Sequence, residues 1–535
     1  MILRRLYLYL VSIAALAVLA FGLSALGQTI LVFAFNSPDA QYNRTSLAGY
    51  AAAAVVAFPV WAVHQWFARW FALRDPAERA SAIRRLYLYL ACLGSSIGAA
   101  IALAITVFNA LQQQLDGQTV NQLSVAQTGW VTLVLLAIWA FHYRVAARDR
   151  AAVGEQGASA TLRRWYMYVA LFVGLFMMLG GAQGVVQMLW TRALNSDLFK
   201  YNFLSPYVGE LAAGLLLWGF HARILATRHI EDDRKSTLRA VEGFIAVAVC
   251  IGVALYGASQ ILYYGVARVL GVTNPGGIGD NLLVYLGVPA SYLVVYGIAW
   301  FLIQRRLARD AASGEAARQA GLRRDYTNLV ALVSLGAFAV GAAGFLGTLL
   351  EAAEAPIIGV PQPAWRDPAS LWITLLVVGG AVWLAHWRRV PWLEERLALA
   401  RRLYVWAVLL ASVLAVLGGA IGMLYVVFQQ LFSTHPRLND PANLAFGQSL
   451  AVVVVAVAVG IYHFRVLRSD AAARPAKVAP TPVLTLPAEP APQAPALEVD
   501  AGRHFELSVV GATEDDVHQA LANLPPQASY KLRMK

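Results

Sequence analysis

Arg4-Arg5-Leu6-Tyr7-Leu8-Tyr9 opens an apolar run more than 20 residues long, and its leading arginine returns at Arg84, Arg163, Arg239, Arg323 and Arg401 with a fresh apolar run behind each. The intervals are 80, 79, 76, 84 and 78 residues. Self-similarity at a near-constant period decides the architecture before any local motif does. The chain therefore reads as six tandem copies of one unit, residues 1–82, 83–160, 161–235, 236–320, 321–398 and 399–470.

Composition says what the unit is. Hydrophobic residues make up 59% of the 535-residue chain and charged ones 13%, whereas soluble domains carry charge on about a quarter of their residues. A hydrocarbon core about 30 Å thick needs about 20 apolar residues per helix, and each copy holds two such windows. The predicted fold is an all-α membrane protein of six two-helix hairpins. Its twelve spans are expected near 6–32, 46–68, 86–112, 128–146, 165–190, 208–226, 241–266, 282–303, 326–350, 370–388, 403–430 and 447–466.

The net charge of +12 matters less than its placement. Of 42 Lys and Arg, 28 fall in the N-terminal residues and the connections between copies, 8 follow the last span, and 6 lie around the loops inside the copies, at Arg44, Arg192, Lys200, Arg268, Arg366 and Arg437. Positive residues collect on the cytoplasmic side of a bacterial inner membrane, so both termini are expected in the cytoplasm. That asymmetry accounts for the charge without nucleic acid as a partner. Cys92 and Cys250 fall in different spans and make neither a disulfide framework nor a metal site. The first span starts like a signal peptide, but it repeats the later spans and is longer than a signal core, so it is read as retained.

Five copies begin with two arginines: Arg4 and Arg5, Arg84 and Arg85, Arg163 and Arg164, Arg323 and Arg324, Arg401 and Arg402. An aromatic residue follows at the third position, as Tyr7, Tyr87, Tyr166, Tyr326 and Tyr404. The fourth copy departs, with Ala240 at the second arginine and Glu242 at the tyrosine. One reading is an anchor, with arginines among the headgroups and tyrosine at the interface. The other is a ring of contacts to anionic lipids, since six starts side by side concentrate positive potential.

Each returning helix ends with a histidine three residues after a tryptophan: Trp61/His64, Trp139/His142, Trp218/His221 and Trp383/His386. The sixth copy keeps His463 with Gly460 before it, and the fourth has Trp300 and Ile303. A spacing of three puts both side chains on one helix face. Imidazoles on membrane helices can ligate haem, which makes His64, His142, His221, His386 and His463 the cofactor candidates. Their depth favours instead a place at helix C-termini, where cations and imidazole complement the dipole, and no cofactor is expected.

The outward helices carry Gly94/Gly98, Gly180/Gly184 and Gly418/Gly422, with Gly341, Gly344 and Gly347 on another. Small residues let helices approach closely in lipid. Toward the outer ends lie Gln28, Gln112, Gln183, Gln187, Gln260, Glu351, Glu354, Gln429 and Gln430. Such groups must find partners, either across helices or in a polar vestibule of Gln112, Gln183, Gln187, Gln260, Glu351 and Gln429. Pro59 and Pro289 fall inside returning helices, where each removes a backbone hydrogen bond.

The connectors, such as Arg74-Asp75-Pro76-Ala77-Glu78-Arg79, mix both charge signs. Glu78, Glu155, Glu315, Glu394 and Glu395 are placed to pair with the arginines, as exposed pairs worth about 0–1 kcal/mol each. No Walker loop, Rossmann fingerprint, HExxH or G-x-S-x-G occurs, so no catalytic residue is expected and the protein reads as non-enzymatic. Residues 471–500 form an Ala/Pro spacer. Behind it, 501–535 reads as a small βαβ-like module: a strand over Phe505–Val510, a helix over Thr513–Leu524 and a strand over Ser529–Met534. At about 35 residues it is too small to bury a stable core alone, so it is expected to dock on a cytoplasmic partner.

The Arg-Arg-Leu-Tyr-Leu-Tyr start and the Trp-x-x-His return resemble a bacterial membrane family known only as a domain of unknown function. The resemblance covers roughly residues 1–466, is weakest in the fourth copy, and implies no activity. Three function classes follow from the residues: a scaffold or sensor recruiting a partner through the tail, a transporter or channel using the outer polar layer, and a haem- or quinone-binding electron carrier. On the expected topology, an impermeant thiol reagent applied to intact cells labels a cysteine placed at residue 120 or 200. Protection of both refutes it.

Overall fold

The computed structural model describes residues 2–38, 44–194, 203–229, 233–234, 236–277, 281–312, 317–387, 393–433 and 439–473. Residues 471 and 472, expected in the spacer, close the last helix, while 474–500 and the 501–535 module lie outside the described residues. Within the described residues there is no strand, and twelve helices are long and apolar enough to cross a membrane. We label them α1 (Ile2–Ala34), α2 (Arg44–Arg74), α3 (Ala82–Asp116), α4 (Gln122–Val153), α5 (Ala158–Ala193) and α6 (Ser205–Ile224), then α7 (Thr237–Val269), α8 (Gly287–Ala312), α9 (Ala317–Ile358), α10 (Arg366–Trp387), α11 (Leu399–Phe432) and α12 (Ala445–Ala472). Helix is the only open-chain form that satisfies every backbone polar group inside lipid.

The helices outrun the apolar windows, because the charged connectors continue the same coil. α4 carries Arg144, Arg148, Asp149 and Arg150 in its last turns, which places an acid on a helix rather than in a loop. Turns between helices use ordinary punctuation. Gly117, at φ 67°, closes α3, and the Asn121 side chain accepts from Ser124 N at 3.2 Å to open α4, as capping chemistry requires. After α2, Asp75 caps the short turn Pro76–Arg79. Pro59 does sit inside α2. Pro289 follows an interruption of the fourth returning helix, at Leu286 between Leu282–Tyr285 and Gly287–Ala312, where a proline has no N–H for the Tyr285 carbonyl.

Consecutive helices pack as six pairs, α1 with α2 through α11 with α12. Each odd-numbered helix also packs on the even-numbered helix of the next pair: α1 on α4, α3 on α6, α5 on α8, α7 on α10 and α9 on α12. This stagger buries the odd helices of the first four pairs, whereas α9 and α11, at 22% and 17%, are less buried than α10 at 28%. In α1, α3, α5 and α7, 39–44% of the apolar window is buried within the bundle, against 11% in α2 and α4. Large apolar side chains such as Leu133, Leu216, Leu403 and Ile421 remain exposed, as lipid rather than water requires.

Glycine marks the closest crossings, but not where the GxxxG spacing alone puts it. A Cβ on Gly181 would overlap the Leu211 backbone, and one on Gly214 the Met178 backbone, so α5 and α6 touch main chain to main chain. Gly94 and Gly418 instead face open space and hold no helix contact. Gly181→Ala is therefore expected to destabilise the protein by about 1–3 kcal/mol through overpacking. Gly94→Ala should be neutral or stabilising by a few tenths to about 1 kcal/mol. Unfolding midpoints in detergent distinguish the two.

Candidate functional site

The polar residues gather at one end of the bundle, where the arginine-bearing starts of the odd helices meet the ends of the even ones. A guanidinium cannot be deprotonated there, and these are buried: Arg84 is 5% exposed, Arg85 0% and Arg163 3%. Each is matched. Arg84 Nε bonds Asp149 at 2.7 Å, while its Nη1 donates at 3.1 Å to the Tyr9 hydroxyl and to the Ala68 carbonyl of the preceding pair. Arg85 donates to the carbonyls of Arg79, Ala146 and Gly154 and lies 3.6 Å from Glu155.

The same acid often serves two neighbours. Glu155 holds Arg163 at 3.0 Å and accepts from Tyr89. Asp233 takes Arg163, Arg164 at 2.7 Å and the Tyr168 hydroxyl. Glu78 has no exposure and takes Arg4, Arg5 and Tyr9 at 3.1, 2.9 and 3.2 Å. Arg239 with Asp310, and Arg401 with Asp470, complete the series at 2.6 and 2.7 Å. The expectation of exposed, weak connector pairs is corrected: Glu78 and Glu155 do pair, but inside the bundle. Four partners were missed, namely Asp149, Asp233, Asp310 and Asp470. A signal for three of them exists, since Asp149, Asp310 and Asp470 each lie seven residues after His142, Ile303 and His463, two helical turns along one face.

The Trp-x-x-His return has a defined partner in the tyrosine of the start. Trp61 Nε1 donates to the Tyr87 hydroxyl (3.3 Å), which bonds His142 Nε2 (2.8 Å), and His142 Nδ1 bonds the Ile138 carbonyl (2.8 Å). Trp139, Tyr166 and His221 repeat the chain at 3.1 and 2.7 Å. Trp383, Tyr404 and His463 repeat it at 3.0 and 3.0 Å. A carbonyl only accepts, so Nδ1 carries the hydrogen, Nε2 is bare and the tyrosine must donate to it. Both nitrogens of each of these three histidines are committed, which leaves none for haem iron. The tryptophan belongs to one pair and the tyrosine and histidine to the next, so the chain bridges neighbours.

In the fourth pair the chain lapses at both ends together. Glu242 replaces the tyrosine and bonds Arg306 at 2.5 Å, and Ile303 replaces the histidine. In the fifth, Tyr326 and His386 meet only as rings, with centroids 6.3 Å apart. His64, in the first pair, bonds the Val60 carbonyl at 2.7 Å and meets the exposed Tyr7 as a ring at 5.9 Å. Among the described residues, no three His, Cys, Asp or Glu side chains gather as metal ligands.

A family model described as a domain of unknown function, DUF5671, matches residues 5–137, 117–213 and 324–462, together more than half of the chain. The chain belongs to that family. No curated protein and no solved structure matches it. The first and last DUF5671 matches each cover four helices, α1 into α4 and α9 into α12. The stretch without a match, 214–323, holds the pair whose Trp–Tyr–His chain has lapsed.

The outer polar layer of this DUF5671 protein does not converge. Gln183 donates at 2.9 Å to both Gln187 and Ser291, joining α5 to α8. Glu351 accepts from Gln448, and Glu354 from Gly447 N at 3.2 Å, joining α9 to α12. Gln429 is exposed, Gln112 and Gln260 are half-buried, and Gln430 bonds Asn443. These are separate interhelical bonds, and Glu210 in α6 adds a carboxylate the sequence reading passed over. Of the arginines proposed as lipid contacts, Arg84, Arg85, Arg163 and Arg401 are buried, Arg5, Arg164 and Arg324 are half-buried, and Arg4, Arg323 and Arg402 are exposed.

Removing one member of a buried pair strands the other. Asp149→Asn is expected to cost about 3–5 kcal/mol, and Tyr166→Phe about 1–3 kcal/mol, because Trp139 and His221 both lose a partner. Combined with His221→Leu, Tyr166→Phe should show a coupling of about 0.5–3 kcal/mol in a denaturation cycle. Strict additivity would remove the bond from the account.

Proposed function

We propose that this chain is a non-enzymatic, multi-pass protein of the bacterial cytoplasmic membrane, with both termini inside. Its helices act as a fixed platform, and residues 501–535 recruit a cytoplasmic partner, as in a scaffold or sensor. The observation that carries the reading is the cross-bonding of successive pairs at the arginine end. Its buried arginines, carboxylates, tyrosines and histidines bond one another across successive pairs. Sliding one pair past the next, as alternating access requires, would strand several buried charges at once. The excess of Lys and Arg at this same end supports its placement in the cytoplasm.

The Ala/Pro composition of 471–500 supports a tether rather than a further span. Deleting residues 474–535 is expected to abolish co-purification of a stoichiometric cytoplasmic partner while leaving the unfolding midpoint of the bundle unchanged. Retention of that partner by the shortened chain, or selective solute flux in proteoliposomes, would overturn the proposal.

A further inference from the structure

We propose that the cavity between α7, α8, α9, α10 and α11 at the arginine end binds a phosphate group. The cavity measures about 440 Å³. Its origin lies in the fifth residue after each leading arginine, which is Tyr9, Tyr89 and Tyr168 in the first three pairs. Tyr9 offers its hydroxyl to Arg84 Nη1 of the next pair at 3.1 Å, and Tyr168 likewise bonds Arg239. In the fourth and fifth pairs the position holds Phe244 and Asn328, and both line the cavity. Phe244 has no hydroxyl. Asn328 is shorter than tyrosine and turns its Nδ2 back to the Arg324 carbonyl at 2.8 Å.

The consequence falls on Arg401. It is 7% exposed, fixed by Asp470 at 2.7 Å and by the Trp387 ring, whose centroid lies 4.4 Å from the guanidinium carbon. Its Nη1, the atom equivalent to the one Tyr9 satisfies on Arg84, is buried with no hydrogen-bond partner among the described residues. A buried N–H without an acceptor is costly. Five guanidinium groups line the cavity against the carboxylates of Asp310 and Glu395, with Asp470 behind Arg401. An apolar occupant would leave Arg401 Nη1 unmet. A tetrahedral oxyanion supplies several acceptors at once and matches the guanidinium geometry.

The phosphate could be carried by a phospholipid headgroup or be free in solution, and the inference stands independently of the platform reading. Delipidated full-length protein is titrated with inorganic phosphate at constant ionic strength, with chloride as control, following the unfolding midpoint. In parallel, protein is taken from phosphatidylcholine nanodiscs containing phosphatidylglycerol, and retained lipid is counted by native mass spectrometry. Saturable binding of inorganic phosphate assigns a free ligand, and one retained phosphatidylglycerol per chain assigns a headgroup. Asn328→Tyr restores the hydroxyl and fills the space, so it is expected to preserve or raise stability while weakening binding about tenfold or more. Arg323→Gln should weaken it without filling the cavity. Absence of saturable binding in both arms, or binding unmoved by both variants, would overturn the proposal.

Discussion

A buried arginine is the constraint on which the rest of this structure depends. Its charge cannot be titrated away, so every arginine drawn beneath a neighbouring helix obliges the chain to return an acid to it. The acid comes from the end of the same helix pair, 65 residues on for Arg84, 70 for Arg163, 71 for Arg239 and 69 for Arg401. That separation is the length of one crossing out and back. Period, helix length and ion pairing are thus three expressions of one requirement.

The stagger of the helices follows from the same source. Arg84 reaches back to Tyr9 and the Ala68 carbonyl while holding Asp149 of its own pair, so it is satisfied only when two pairs are in register. The Trp–Tyr–His chain adds a second, uncharged fastening at the same level. Its loss in the fourth pair is concerted: the position of the tyrosine and that of the histidine change together, and Glu242 with Arg306 substitutes an ion pair for a neutral bond. The fifth residue of the start is lost there too, and the packing opens.

The twelve apolar helices were legible from hydropathy, because crossing lipid imposes length and composition on each one separately. The burial of the arginines was not, since an arginine at a helix start reads the same whether it faces headgroups or the underside of a neighbour. What meets Arg84 is Tyr9 and the Ala68 carbonyl of the preceding pair and Asp149 of its own. Similarly, the spacing Gly94/Gly98 resembles Gly180/Gly184, yet Gly94 faces open space while Gly184 abuts Tyr207. His64, His142 and His463 lie about three turns before the ends of helices that run on to Arg74, Val153 and Ala472, rather than at the helix C-termini expected, and their partner was hidden: Tyr87 and His142 lie 55 residues apart. Of the outer glutamines, Gln183 bonds Ser291 of α8 and Gln430 bonds Asn443, partners that lie 108 and 13 residues away and carry no pattern a spacing rule could find.

One feature of the Trp–Tyr–His chain bears on how the molecule is made. The indole of Trp139 belongs to α4, but the hydroxyl it donates to arrives with α5, and Glu155 between them likewise waits for Arg163. A ribosome delivers these segments in order, so wherever the Trp–Tyr–His chain is kept, between the first and second, second and third, and fifth and sixth pairs, the earlier pair holds an indole whose acceptor is synthesised after it.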